Sequence, residues 1–455
     1  MAAGSGAALT ALHRPVTGGV IVSHFLPGTD FDLREFIPPA LRHSVGDHPV
    51  PGPSSLEAAE QIDAAIQDIA PGALVLVLLS GGTTALTAAP ITALAQSVGD
   101  TGRAQAHIAN LAETLLESGL AIHEMNAIRR RILRFGAGRL ATALARRGVK
   151  RVGVFAISDV IGDDPAVIGS GPCTADPLDD THFLALLDAH NLRGRLEHVM
   201  QQVLGLSGNG GPPPVPSAAD PAFEIVDYSI VAGNSDAVRA MAESAWGMGI
   251  GSVSTDFPSL EGDAHALGGQ LVEGALNRVE PDPTHRGLHL AESALSEYHV
   301  SLMGGEPVVN LEATTERALA LAEEDDARHV TSDAGVSARG GRIADEPMRG
   351  GRMQVLALSA ALTLEAAHAR SPTMASRVTI LAAGTDGRDG PTDAAGAIVD
   401  AAVPSLARRA GRIPETDLET GRSWFSLNAA GALLRTGPTG TNVMDVVAIL
   451  SRRPR

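Results

Sequence analysis

Strand-like and helix-like stretches alternate along this chain, and that alternation restricts the fold more than any other feature. GGVIVSHF (18–25), ALVLVLLS (73–80), RVGVFAIS (151–158), FEIVDYSIVAG (223–233), GSVSTDF (251–257), YHVSLMG (298–304) and VTILAAG (378–384) are short aliphatic runs with the length and make-up of strands. Between them, residues 105–119, 136–148, 183–205, 234–248, 261–279 and 353–370 place apolar side chains at helical spacing. Strand then helix, repeated, predicts α/β units with mainly parallel sheets covered on both faces. Aromatics are only 3 %, which suits small aliphatic helices on strands. A chain of 455 residues predicts two domains. The pattern breaks at VEPDPTHRG before a new strand at Tyr298, which places the boundary near 285. SGNGGPPPVPSAADP (207–221) is too rich in Pro and Gly for regular structure and is expected to be a surface loop.

Charge and cysteine content narrow the function classes. With 52 acidic residues against 35 basic ones, the formal charge of −17 opposes a phosphate backbone, so no nucleic-acid partner is expected. The single cysteine, Cys173, excludes an intramolecular disulfide and fits a reducing compartment. The longest apolar run, ALVLVLL, is too short to span a bilayer, and the N-terminus lacks a secretory pattern. A cytoplasmic protein with no membrane partner is the expectation. HExxH, GxSxG, paired CxxC and a strand-linked GxGxxG are absent from the sequence.

Chemistry is concentrated where strands end, the place where open α/β sheets bind ligands. Ser80-Gly81-Gly82-Thr83-Thr84 follows a buried strand and offers amides and hydroxyls to an anion. Ser158-Asp159, Gly162-Asp163-Asp164 and Ser170-Gly171-Pro172 follow another, a grouping of carboxylates and hydroxyls that suits Mg²⁺ held jointly with phosphates. GTDGRDGPTDAAGAIVD (384–400) follows VTILAA and carries Asp386, Asp389 and Asp393. Asp393 is expected to cap a helix AAGAIVDAAV starting just after it. TGPTGTNVMDV (436–446) supplies Thr436, Thr439, Thr441 and Asn442, without the lysine or spacing of a Walker A loop. Arg349 and Arg352 flank two glycines at a helix start. Each stretch has a structural alternative in turn-forming glycines, helix caps and solvated acids.

Taken together, these stretches resemble the class II glycerate kinases, ATP-dependent glycerate 2-kinases whose C-terminal half is the MOFRL domain. The resemblance runs through HPVP (48–51), SGG (80–82), ALxxxP (85–90), MNxxR (125–129), SDVxGDD (158–164), SGP (170–172), GGE (304–306), RGGR (349–352), GTDGxDGPTDAAGAIVD (384–400) and TGPTGTNVxD (436–445). It implies two three-layer α/β domains with a cleft between them: a Rossmann-like domain over 1–285, short of its first strand, and a MOFRL domain over 286–455. It further implies ATP, Mg²⁺ and a glycerate-like hydroxy acid, with transfer to the 2-hydroxyl. Carried over by position, Arg352, Asp386, Asp159 and Asn126 are the catalytic candidates. Ser80, Gly81, Gly82, Thr84, His48, Arg129, Ser170, Gly171, Glu306, Thr439, Gly440, Thr441 and Asn442 are candidates for substrate or phosphate, and Asp163 and Asp389 for metal. A homodimer is compatible with it.

Departures from the family pattern are specific. Ala7 stands where a GxGKA-like turn has lysine, and Gly136 where a lysine precedes GG; Lys150 is the only lysine in the chain. Thr84 replaces serine, and Met353 and Val355 replace the amide and acid of RGGRNQE. Arg131 or Arg134 could stand in for a lost cation. A weakened or inactive relative acting as a ligand-binding or partner protein is therefore an alternative, and a hydroxypyruvate reductase a third reading.

Overall fold

A computed structural model describes residues 15–23, 38–91, 101–116, 120, 122–192, 214–255, 259–279, 297–310, 313–317, 319–320 and 347–452. The chain forms two compact units, Met1–Val231 and Ala232–Arg455. The division falls well before the expected 285/286, because the helix and strand following residue 232 build onto the second sheet. Ala7 lies outside the described residues.

In the first unit, β1 (Gly19–Ser23) pairs in parallel with β2 (Leu41–Val45). A second sheet has β3 (Leu74–Leu79) parallel to β4 (Arg151–Ile157), with β5 (Val226–Ala232) on the far side of β4. Alternate residues of β4, Val152, Val154 and Ala156, are fully buried against α1 (Pro53–Gln67) and α5 (Arg139–Arg146) through Ala59, Ile66, Ala141 and Leu144. The turn after β3 enters the short α2 (Thr83–Leu86). A separate helical cluster joins α3 (Thr101–Leu116), α4 (Ile122–Ile132) and α6 (Asp180–Ala189) through Leu111, Leu115, Ile128, Ile132, Phe183 and Leu187. The helix expected from 136 to 148 corresponds to α5. Of the one expected over 183–205, the described part ends at Ala189.

The second unit has strand order β10-β9-β8-β11-β7-β6. These are β6 (Ser252–Ser254), β7 (Tyr298–Gly305), β8 (Val378–Gly384), β9 (Gly396–Val399), β10 (Leu433–Leu434) and β11 (Asp445–Arg452). β6 and β7 are parallel, while β11 inserts between β7 and β8 and runs antiparallel to both. The α/β class stands, with parallel pairing in the first unit and a mixed sheet in the second. Runs buried on both faces look alike in sequence whichever way their neighbours point.

Side chains of β11 alternate between two layers. Val447 and Ile449 join α8 (Ala264–Val279) and α9 (Arg352–Arg370), whereas Ala448 and Leu450 pack toward α7 (Asn234–Gly247). α9 is buried over its first turns: Met353 is 0 % and Val355 6 % exposed. The two departures from RGGRNQE are therefore core residues. AAGAIVD does not begin a helix; it forms β9, paired antiparallel with β8. Beyond it, α10 (Pro372–Ala375) precedes β8, and α11 (Val403–Arg409), α12 (Pro414–Glu419) and α13 (Ser423–Ala429) follow β9. Among the described residues no helix is long and apolar enough to cross a membrane.

Buried charge anchors α4 in the first unit. Arg130 and Arg131, 3 % and 0 % exposed, both reach Asp176, at 2.9 and 2.7 Å. Arg131 also donates to Asp180 at 2.6 Å and lies over the Phe183 ring. Arg134 pairs with Asp63 at 2.6 Å, so neither Arg131 nor Arg134 is free to substitute for a lost lysine. Removing one partner of such a pair leaves charge without compensation in a desolvated site, at about 3–5 kcal/mol. Asp176→Ala is thus expected to lower the urea unfolding midpoint of the protein clearly. A midpoint equal to wild type would show that the two guanidinium groups find other partners.

Candidate active site

The second unit gathers most of its predicted residues around the start of α9. Gly351 caps the helix with extended backbone, which makes Arg352 its first residue. Arg352 donates from Nε to Asp445 Oδ2 at 2.6 Å and from Nη1 to Glu306 Oε1 at 2.7 Å. Glu306 follows β7, and Asp445 begins β11, whose Cα partner on β7 is Gly305. Its remaining nitrogen, Nη2, has no partner among the described residues, and the side chain is 34 % exposed. Burial lowers the Arg352 pKa, but Asp445 and Glu306 more than offset it, so the group is raised. It stays a cation at any physiological pH.

Asp386 closes the other side. A Cβ on Gly384 would stand 3.2 Å from Asp386 Oδ1 and 3.4 Å from Asp445 Oδ1, so the two carboxylates converge beside the end of β8. Burial pushes Asp445 up to about 6, with Arg352 pulling it down and Glu306 and Asp386 adding to the rise. Asp445 and Glu306 share the Arg352 guanidinium, and Asp386 adds a third carboxylate close enough to act on Asp445. Among the described residues no group of three or more His, Cys, Asp or Glu is arranged as a metal cage.

Asp389 has a different task from the metal ligand expected of it. It is 4 % exposed, and its oxygens accept the backbone N–H groups of Met353 at 3.1 Å and Gln354 at 2.7 Å. The carboxylate is turned inward onto the N-terminus of α9, satisfying donors that the helix cannot satisfy itself. Gln354 returns the contact, donating from Nε2 to the Asp389 carbonyl and to Thr392. Asp393 is no helix cap either: it accepts from Arg435 Nε at 2.9 Å and Trp424 Nε1 at 2.8 Å, and Arg349 stacks on that Trp424 ring at 3.6 Å.

The 436–445 loop is stitched to the turn after β8. Thr439 N–H donates to the Asp386 carbonyl at 3.1 Å, and its hydroxyl to the Thr385 carbonyl at 2.6 Å. Thr385 in turn donates its hydroxyl to the Met444 carbonyl and accepts Val443 N–H. Asn442 Oδ1 accepts Met444 N–H at 3.0 Å, and Met444 holds φ +67°. Thr439 and Asn442 therefore shape the loop, while Gly440 and Thr441 lie exposed at its tip.

In the first unit, the turns after β3 and β4 meet. Thr84 Oγ1 and Ser170 Oγ are 2.9 Å apart, and Thr83 donates to the Ser80 carbonyl at 2.6 Å. Gly82 sits at φ +81°, where a Cβ would press to within 3.0 Å of the His48 ring. Thr84 and the buried Ser170, and Gly82 and His48, thus bring Ser80–Thr84 against the turn after β4 and the His48 ring, with Gly171 packed on Ala166. Asp163 and Ser170 are in the left-handed region at φ +53° and +66°, which aspartate enters more readily than serine. Asp159 is half-buried just past β4, and Asn126 is half-buried on α4. Arg129 Nε is buried without a hydrogen-bond partner among the described residues, and burial lowers its pKa. Gly136 has its own reason: a side chain there would run into the Arg130 carbonyl.

Residues 1–205 match the family described as a domain of unknown function, DUF4147, and residues 299–445 match the MOFRL family. Human glycerate kinase is 31 % identical over 413 residues, 89 % of this chain and 72 % of that protein. The chain belongs to the class II glycerate kinase family. The crystal structure of a glycerate kinase from Thermotoga maritima covers 98 % of this chain and 88 % of its own, with a TM-score of 0.65 at 25 % identity. A relative from Agrobacterium vitis, named provisionally as a hydroxypyruvate reductase, is 32 % identical over 92 % of this chain and 82 % of its own.

Two features of this class II glycerate kinase family member escaped the sequence reading. Asp445 ends the TGPTGTNVxD motif, yet nothing in sequence marks it as the partner of an arginine 93 positions away. Asn234, which donates to the Val443 and Asp445 carbonyls, lies in no motif at all.

The burial of Asp389 predicts a pH signature. Its pKa is raised to about 7 from 3.8, chiefly by burial, with the two helix amides working against the rise. The folded protein then holds this proton at pH values where the unfolded chain has released it. Stability from this group is full below about pH 4 and falls as pH rises toward 7. Asp389→Asn cannot ionise, so its stability deficit relative to wild type should shrink between pH 4 and 7, measured by urea unfolding. A deficit that stays level or grows over that range would mean that the carboxylate is ionised throughout.

Proposed function

We propose that the protein transfers the γ-phosphoryl group of ATP to the 2-hydroxyl of glycerate or a close hydroxy acid. The observation that carries this reading is Arg352, a cation held by two carboxylates with one N–H edge left for an anion. In the transfer the substrate oxygen bonds to the γ-phosphorus, the bond from that phosphorus to the bridging oxygen breaks to release ADP, and the hydroxyl proton passes to water. Charge on the moving group is what a preorganised guanidinium stabilises, typically by roughly 10²–10³ in rate per donor.

Mg²⁺ fits the donor set in the second unit. Asp386 and Asp445 are converging carboxylates in a site with excess negative charge, and Mg²⁺ takes one or two carboxylates together with substrate phosphates. Bound there, it would neutralise polyphosphate charge. Asp163, on the turn after β4 in the first unit, is the other metal candidate. The turn at Ser80–Thr84, braced by Ser170 and His48, supports an anion site, and Arg129 on α4, whose Nε is buried without a hydrogen-bond partner among the described residues, is the cation candidate of this unit.

Arg352→Ala should lower kcat for ATP-dependent 2-phosphoglycerate formation by at least about 100-fold. Asp386→Asn should raise the Mg²⁺ concentration needed for half-maximal rate. No 2-phosphoglycerate from wild-type protein with ATP, Mg²⁺ and D-glycerate would defeat the reading, and NADH oxidation with hydroxypyruvate would replace it with the reductase. Nucleotide binding by calorimetry without turnover would instead identify a binding protein.

A further inference from the structure

Asn234 opens α7, and its side chain has no part in starting that helix. The Asp236 carboxylate already accepts the Gly233 N–H at 2.9 Å, completing the helix start from within. Asn234 points instead across to the sheet. Its Nδ2 donates to the Val443 carbonyl at 2.7 Å and the Asp445 carbonyl at 2.9 Å, so both amide hydrogens are used. Its oxygen side lies against Gly304, where a Cβ would overlap the amide. Gly304 pairs with Val446 in the β7–β11 register, one position from the Gly305–Asp445 pair. One amide is therefore hydrogen-bonded to the chain entering β11, at Val443 and Asp445, and packed against Gly304 near the end of β7, which leads into Glu306.

Those two residues hold Arg352. From this geometry we infer that Asn234 is a positioning residue for Arg352: it locks together the two strand ends whose carboxylates aim the guanidinium. The inference rests on the reading that Arg352 acts in the phosphoryl transfer. Gly304 belongs to the same device, since it alone leaves room for the amide. Loosening the strand ends lets Asp445 and Glu306 drift, and small displacements of a charge-stabilising group cost rate more than binding.

Two variants test it in the full chain, Asn234→Ala and the near-isosteric Asn234→Asp, which keeps the shape but has no hydrogens to donate. The expected result is a kcat lower by roughly 10–100-fold with KM for ATP and glycerate within about two-fold of wild type. The double variant Asn234→Ala/Arg352→Ala should be no slower than Arg352→Ala, because positioning has nothing left to act on. Penalties that multiply, or an unchanged kcat in both single variants, overturn the inference. A readout independent of turnover is the Arg352 Nε–H resonance in ¹⁵N NMR, identified by its disappearance in Arg352→Lys. It should move in Asn234→Asp, and a resonance that stays in place overturns the inference. Wild-type protein inactive on glycerate defeats the proposed reaction instead, leaving this NMR comparison to decide the role of Asn234. Gly304→Ala should reproduce the Asn234→Ala kcat and add little to it in combination; a normal kcat in Gly304→Ala overturns the inference as well.

Discussion

Arg352 donates to Asp445 from Nε and to Glu306 from Nη1, so one rigid fork fixes the start of β11, the end of β7 and the first turn of α9 relative to one another. Few alternatives would do this. Lysine offers a single ammonium that rotates freely, whereas guanidinium geometry sets two acceptor directions in a plane. Because those directions are occupied by protein, the outward edge of the group is oriented before any ligand arrives. The loop at 436–445 depends on the same arrangement: its last residue is Asp445, and Thr439 ties its tip to the Asp386 turn.

Much of the sheet was legible in sequence because aliphatic runs of five to eight residues bounded by glycine have few other uses. VTILAAG and YHVSLMG became β8 and β7 with their ends at the site. AAGAIVD deceived because its alanines favour a helix locally, and a strand of four residues is too short for alternation to show against that preference. It is a strand because β8 and β10 offer it partners on both sides, a fact held by the tertiary fold. The direction of β11 was equally hidden. Val447 and Ile449 would be buried in either sense, and only its place between β7 and β8 decides it.

The site itself was legible as motifs and illegible as roles. Sequence ranks Asp386, Asp389 and Asp393 alike, three acids among glycines. The structure separates them by surroundings: Asp389 is sealed on helix amides, Asp393 lies with Arg435 and Trp424, and Asp386 faces Asp445. Burial drives the Asp389 pKa up to about 7, whereas the Arg435 and Trp424 hydrogen bonds draw Asp393 down to about 2. Two aspartates four positions apart are therefore shifted in opposite directions, and the cause is solvent access and partners rather than residue type.

Departures from the family pattern sort by the same physical test. Met353 and Val355 point into a core that α9 shares with α8 and the sheet, so polar groups there would need buried partners of their own. Gly136 is held to glycine by the Arg130 carbonyl. Meanwhile Gln354, the retained amide between Met353 and Val355, is fully buried and bonded to Asp389 and Thr392. The retained residues of this stretch are those with polar work at the start of α9, and the altered ones are those with only volume to fill. That division explains how the helix keeps Arg352 in place while the residues next to it change character.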